Sequence, residues 1–202
     1  MSVVHEAVAA LRAGNPVVLP FDTVYGLAAD PDGEEPTRRL YRLKGRPATQ
    51  PSALVARDLE YLLERVPELR GRSEALARQL LPGPYTLIFP NPRQRFPWLT
   101  GANPATIGVR VPNVAGVGAD VLARVGAVVA TSANRPGEPD PATLADVPAV
   151  IRSAVVAVDG GALPGSPSTV LDLSGDEPRV LREGAASASE ALRRLRAPVR
   201  SC

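Results

Sequence analysis

Apolar residues in this sequence come in short blocks, and proline or glycine closes almost every one. A block that short is too brief for a stable helix but long enough to cross a sheet as a buried strand. PVVLP reads this way, as do Ser52–Val55, Tyr85–Phe89, Thr106–Val111, Ala127–Ala130, Ala154–Val158, Thr169–Leu173 and Arg179–Leu181. Helical spacing fills the intervals. Val4, Val8 and Leu11 fall at i, i+4 and i+7, with Ser2 placed to cap the start and Gly14 the end. Further helices are predicted over Glu35–Leu43, Leu59–Arg65 and Ser73–Leu81, and a last one over Ala191–Arg196 behind a Ser187/Glu190 capping box. Strands interspersed with helices in this way predict an α/β or α+β fold built on a twisted mixed sheet. The sequence shows no internal repeat and no shift in composition, so one domain over residues 1–202 is expected.

With 22 prolines and 17 glycines in 202 residues the chain is rich in turns without being of low complexity. The formal net charge of +2 argues against bulk electrostatic binding of nucleic acid, so any anion site must be local. One cysteine, Cys202, precludes an intrachain disulfide, and with His5 the sole histidine it leaves no basis for a Cys/His zinc site. The N-terminus lacks the pattern of a signal peptide and no apolar run is long enough to span a bilayer, which together point to a cytoplasmic protein with no membrane partner.

Of 23 basic residues only one, Lys44, is lysine. It stands among Arg38, Arg39, Arg42 and Arg46 at the end of a predicted helix, before a Gly45–Pro47 turn. A compact ammonium suits phosphate oxygens and a guanidinium is a flat fork, so this cluster is either a polyanion site or a solvated basic face. Standard nucleotide signatures are missing: no P-loop occurs, and GVGAD at 116–120 lacks the third glycine of a dinucleotide fingerprint. Ser132 has no nucleophile-elbow setting and His5, on an amphipathic helix, is expected at the surface. Polar side chains combine with tight backbone in PFDTVYGLAAD (20–30), TIGVRVP (106–112) and TSANRPGEP (131–139), and Asp22 is the one acid in an apolar, turn-like segment. Two-residue alternation puts Arg110 on one strand face with Thr106 and Gly108. There it can serve as a bidentate carboxylate or phosphate receptor, or as half of a structural ion pair. The longest loop is predicted over Asn134–Thr143.

Seven segments, PFDTVYGLAAD, LKGRP, LPGPYTLIF, TIGVRVP, TSANRPGEP, PSTVLDL and VLREG, follow one another in the order seen in a known family. They closely resemble the YrdC-like L-threonylcarbamoyladenylate synthases of tRNA modification, from about Pro20 to Gly184. The resemblance implies a twisted open sheet with flanking helices around a basic concave cavity, in the form of the family that lacks a C-terminal second domain. It implies that L-threonine, bicarbonate and ATP, with Mg2+ on the triphosphate, give threonylcarbamoyl-AMP and pyrophosphate. Downstream transfer proteins then carry the group to tRNA. Such chemistry needs positioning and charge neutralisation rather than a protein nucleophile.

By the same resemblance Lys44 and Arg46 are the catalytic pair on the ATP phosphates, and Thr106, Ser132, Asn134 and Arg182 complete the nucleotide site. Thr23, Tyr25, Arg110, Ala130 and Ser168 form the threonine site, and no protein metal ligand is implied. Phe21, Val55 and Asp140 depart from the family's usual residues beside the expected pocket. Two alternatives remain at this level: a paralogue of the same fold with another substrate, and a non-catalytic RNA-binding module, the latter poorly served by 4% aromatic residues.

Overall fold

In the computed structural model residues 2–196 are described; Cys202 lies outside them. Chain order is α1 (Val3–Arg12), β1 (Val17–Pro20), β2 (Tyr25–Ala29), α2 (Glu34–Lys44), β3 (Ala53–Ala56), α3 (Leu59–Arg65), α4 (Arg72–Leu80), β4 (Tyr85–Pro90) and β5 (Thr106–Arg110). There follow α5 (Gly116–Val125), β6 (Ala127–Ser132), α6 (Ala149–Arg152), β7 (Val156–Ala157), β8 (Thr169–Asp172), β9 (Arg179–Arg182) and α7 (Ala188–Arg196). The strands form one sheet in the order β7-β1-β2-β6-β3-β5-β4-β8-β9. Pairing is mixed: β1–β7, β3–β5 and β4–β8 run parallel and the other neighbours antiparallel. No helix among the described residues is long and apolar enough to cross a membrane.

The central strands are buried on both faces, which is why they read as unbroken apolar runs rather than as alternating ones. Alternate residues enter two separate cores. Val18, Leu27, Leu54 and Val129 pack with Leu40 of α2, Leu62 and Leu63 of α3, and Leu80 of α4. On the other face, Val17, Leu19, Ala28 and Val128 meet Val4, Ala7, Val8 and Leu11 of α1 and Val121 and Leu122 of α5. The start of α1 is capped as predicted, with Ser2 Oγ accepting a hydrogen bond from the His5 N–H, and His5 is exposed.

Three elements were not foreseen, β2, α5 and the single turn α6, and for the first two the physical reason is visible in the structure. In β2 the residues Gly26, Ala28 and Ala29 have weak strand preference, and burial on both faces overrides it. Helix α5 starts with Gly116 and Gly118 and has no side-chain cap. Gly118 is needed because a Cβ there would overlap the Pro20 carbonyl oxygen, so the residue that weakens the helical pattern is the one that lets α5 pack on the end of β1. The predicted strand over Ala154–Val158 contracts to Val156–Ala157, because a turn off α6 occupies its start.

Candidate functional site

Helices α1 and α5 cover only part of their face of the sheet, contacting β7, β1 and β6. Past β6 no helix of the described residues covers that face, and a cavity of about 230 Å³ opens on it. Pair registers place the lining in two transverse rows. One runs Ala130, Ala53, Gly108, Ile88 across β6, β3, β5 and β4. The other sets Val55 beside Arg110, and Thr86 beside Val170 and then Arg182. The concavity comes from the small residues at its centre: with Gly26, Ala53, Gly108 and Ala130 in the floor, the bulk lies at the rim. Arg46, Arg110 and Arg182 line it, and among the described residues no acidic one does.

A single hairpin turn surrounds Arg110. Between β1 and β2 the residues Phe21-Asp22-Thr23-Val24 close with a Phe21 N–H bond to the Val24 carbonyl. Arg110 Nη2 donates to Asp22 Oδ1 and, at 2.8 Å, to Thr23 Oγ1. Asp22 Oδ2 accepts from the Asn113 N–H at 2.9 Å, and the Phe21 ring lies 5.8 Å from the guanidinium carbon. Arg110 Nε is buried without a partner. Of the two readings the sequence left open, the structure shows the ion pair: Asp22 pairs with the buried Arg110, while Nη1 and Nε are without a bond among the described residues. Burial lowers the Arg110 pKa from its ordinary value, and Asp22 opposes that shift.

Lys44 and Arg46 straddle the end of α2. Gly45 adopts the left-handed conformation, φ 72°, and Arg46 N–H bonds back to the Tyr41 carbonyl at 2.9 Å. This reversal sends the two cations to different places. The Lys44 ammonium is buried and donates to the Ser132 carbonyl at 2.6 Å, Asn134 Oδ1 at 2.7 Å and Ser132 Oγ at 3.3 Å. No carboxylate pairs with it among the described residues. Burial, reinforced by the Arg46 charge, depresses its pKa to about 8, with Asp140 acting in the opposite sense. Arg46 enters the cavity wall, where Nη1 donates to Thr131 Oγ1 at 2.9 Å and Nη2 to the Pro51 carbonyl, while Nε is buried and unpartnered.

Arg182, at the end of the edge strand β9, closes the third side. Its Nε and Nη2 donate to the Ser168 carbonyl at 3.1 and 2.8 Å, and Ser168 Oγ lies 2.8 Å from Thr86 Oγ1. The Arg182 charge lowers the pKa of both Arg46 and Arg110, although burial is the larger cause in each. Its guanidinium therefore acts on both of the others across the cavity.

Of the residues singled out from the sequence, Arg46, Arg110, Ala130, Ser132, Ser168 and Arg182 line this cavity. Thr23 touches it through Arg110, and Lys44 and Asn134 sit behind Ser132. Two lie elsewhere. Thr106 is at the opening of β5, bonded to Asn103, on the face of Gly108 and Arg110 but outside the cavity lining. Tyr25 points into the other core; its hydroxyl donates to the Gly161 carbonyl at 2.8 Å and accepts from the Gly160 N–H at 2.9 Å. Strand alternation explains this, because Gly26 is the β2 residue facing the cavity. Asp22, Val24 and Thr86 were not assigned to the site from the sequence. The isolated acid in PFDTVYGLAAD was the available signal for Asp22.

The Sua5/YciO/YrdC family model, described as telomere recombination, matches residues 9–184. A threonylcarbamoyl-AMP synthase of Chromohalobacter salexigens is 36% identical over 176 residues, covering 86% of this chain and 94% of that protein. The structure of Pyrococcus abyssi Sua5 complexed with L-threonine superposes with a TM-score of 0.84 at 31% identity, over 95% of this chain and 56% of that one. This chain thus spans little more than half of that longer protein. E. coli YciO superposes with a TM-score of 0.80 at 26% identity, over 92% of this chain and 90% of its own. A nine-stranded mixed sheet with its second face half open, matched along nearly its whole length in sequence and in fold, places this chain in the Sua5/YciO/YrdC family.

Proposed function

We propose that this protein is a threonylcarbamoyl-AMP synthase, forming threonylcarbamoyl-AMP and pyrophosphate from L-threonine, bicarbonate and ATP. The observation that carries this reading is the cavity's charge: among the described residues three arginines and no acid line it, and the Asp22 carboxylate beside Arg110 is already paired. Such a hole suits a ligand set with one carboxylate and a triphosphate. The 36% identity to the Chromohalobacter synthase and the L-threonine complex of the Pyrococcus protein support the choice of substrate.

In this reaction the threonine amine and bicarbonate condense to a carbamate with loss of water. A carbamate oxygen then bonds to the α-phosphorus of ATP as the bond to the β-phosphate bridging oxygen breaks, and pyrophosphate leaves. Arg110 holds the threonine carboxylate on the donors that Asp22 leaves free, with Thr23 fixing the guanidinium and Ser168 and the Ala130 backbone bordering the amino acid. Arg46 and Arg182 take the phosphates. Lys44 stands behind Ser132 and Asn134, adding its charge to the nucleotide side of the site through them, and Thr106 borders the ATP beyond the cavity mouth. Tyr25 acts at a distance, by fixing the 159–161 turn. All of this is positioning and neutralisation of charge.

Magnesium fits as a passenger on ATP. The triphosphate and water can supply its oxygen ligands, so few protein carboxylates are needed. Bound there, it neutralises phosphate charge. The product is a mixed anhydride prone to hydrolysis, which fits an enzyme handing it directly to proteins that act on tRNA. The test is pyrophosphate release with each component omitted in turn. Release is expected only with L-threonine, bicarbonate, Mg2+ and ATP together, and equal release without bicarbonate excludes the reading.

A further inference from the structure

Thr86 and Ser168 give the amino-acid end of the cavity polar groups on the β4–β8 side, and its other wall, beside the Arg110 guanidinium, is apolar. Phe21, Val24 and Val55 line it beside that guanidinium, with Gly26, Ala53 and Ala130 in the floor. Phe21 is the large member, and it is fixed in place. It is only 4% exposed, belongs to the core that α1 and α5 share with the sheet, and lies across Gly26 so closely that a Cβ there would overlap the ring. Its backbone N–H closes the hairpin turn, whose next two residues hold Arg110. The ring thus stands where the covered half of the sheet face meets the open half, 5.8 Å from the guanidinium carbon.

An α-amino acid whose carboxylate sits on Arg110 has its side chain one bond from Cα, within a few ångströms of that guanidinium. Whatever flanks Arg110 therefore meets the side chain. We infer, on the basis of the synthase reading above, that Phe21 is the specificity-determining residue for amino-acid size: its ring ends the cavity and rejects side chains longer than that of threonine. A close-packed ring backed by a helix layer does not yield as a solvated loop would, and a single methylene against such a wall changes selectivity by about 10–200-fold.

The test uses analogues that keep the threonine hydroxyl and enlarge the carbon skeleton, 3-hydroxynorvaline by one methylene and 3-hydroxyleucine by a further branching methyl, against wild type, Phe21→Leu and Phe21→Ala. Thermal melts establish that each variant is folded. Pyrophosphate release gives kcat/KM for each amino acid, and calorimetric titration gives binding alone. Wild type is expected to prefer threonine over 3-hydroxynorvaline by at least about tenfold, Phe21→Ala to reduce that preference at least about tenfold, and Phe21→Leu to fall between. The inference is overturned if wild type accepts 3-hydroxyleucine as well as threonine, or if folded variants keep the wild-type ratio. Should wild type release no pyrophosphate with threonine, the synthase reading fails by itself, and the binding titrations still decide whether Phe21 limits side-chain length.

Discussion

Lys44 makes an unusually clean pH experiment, because no other lysine exists in the chain to titrate beside it. Its pKa falls from 10.5 in the unfolded chain to about 8 in the fold, chiefly through burial. Between those values the unfolded chain keeps a proton that the folded protein has shed, so stability rises with pH across the window and is lowest below pH 8. At 1.36 kcal/mol per unit, the shift is worth about 3 kcal/mol, and solvent reaching the ammonium reduces this to about 2. Lys44→Met keeps the stem and removes the charge. Denaturant unfolding of both proteins at pH 7, 8.5 and 10 gives the difference free of other titrating groups. Wild type is expected to gain about 2 kcal/mol on the variant between pH 7 and 10. A flat difference, or one of opposite sign, refutes the argument that a buried ammonium without a carboxylate strains this fold. The same depressed pKa predicts proton uptake near pH 8 when ATP binds, since phosphate charge favours the ammonium; calorimetry in buffers of different ionisation enthalpy measures it.

Arg110→Ala leaves Asp22 as a buried carboxylate without its cation, and should cost about 3–5 kcal/mol in denaturant unfolding. Arg110→Lys should retain part of the pair and weaken threonine binding by about 1–3 kcal/mol in calorimetry, with ATP binding little changed; the reverse pattern would make Arg110 a phosphate ligand. Gly118→Ala, which in an open helix would add about 1 kcal/mol, should instead destabilise by about 1–3 kcal/mol through overlap with the Pro20 carbonyl, as read by thermal melting. Tyr25→Phe should lower stability by about 1–2 kcal/mol by releasing the 159–161 turn, while leaving the KM for threonine near wild type, because its hydroxyl is not in the cavity wall.

The central strands were legible because they are apolar on both faces and bounded by proline or glycine, as in Val17–Pro20. Helix α2 was legible from its spacing and from Gly45, the left-handed residue that ends it. What the chain order hides is set by packing across the sheet. Gly118 weakens the pattern of α5 for the sake of a contact with β1, and the open half of the face exists only because α1 and α5 sit together over the other half. The site was partly readable for the same reason. Arg110 stood out as a charged residue in an apolar strand, and period-two alternation set its face. That its partner would be Asp22, 88 positions away in sequence, depends on the turn between β1 and β2 reaching across to β5 at the end of the strands. The lone lysine was singled out correctly as unusual, but its burial behind Ser132 and Asn134 could not be read from composition.

The central claim is that a carbamate, and not the amino-acid carboxylate, joins the α-phosphorus in this cavity. The direct measurement is to supply 13C-bicarbonate with L-threonine and ATP and to identify the adenylate formed by mass spectrometry and 13C NMR. One labelled carbon, bonded to the threonine nitrogen and through oxygen to AMP, is the predicted result. An unlabelled threonyl-AMP, or no threonine-dependent adenylate at all, would contradict it.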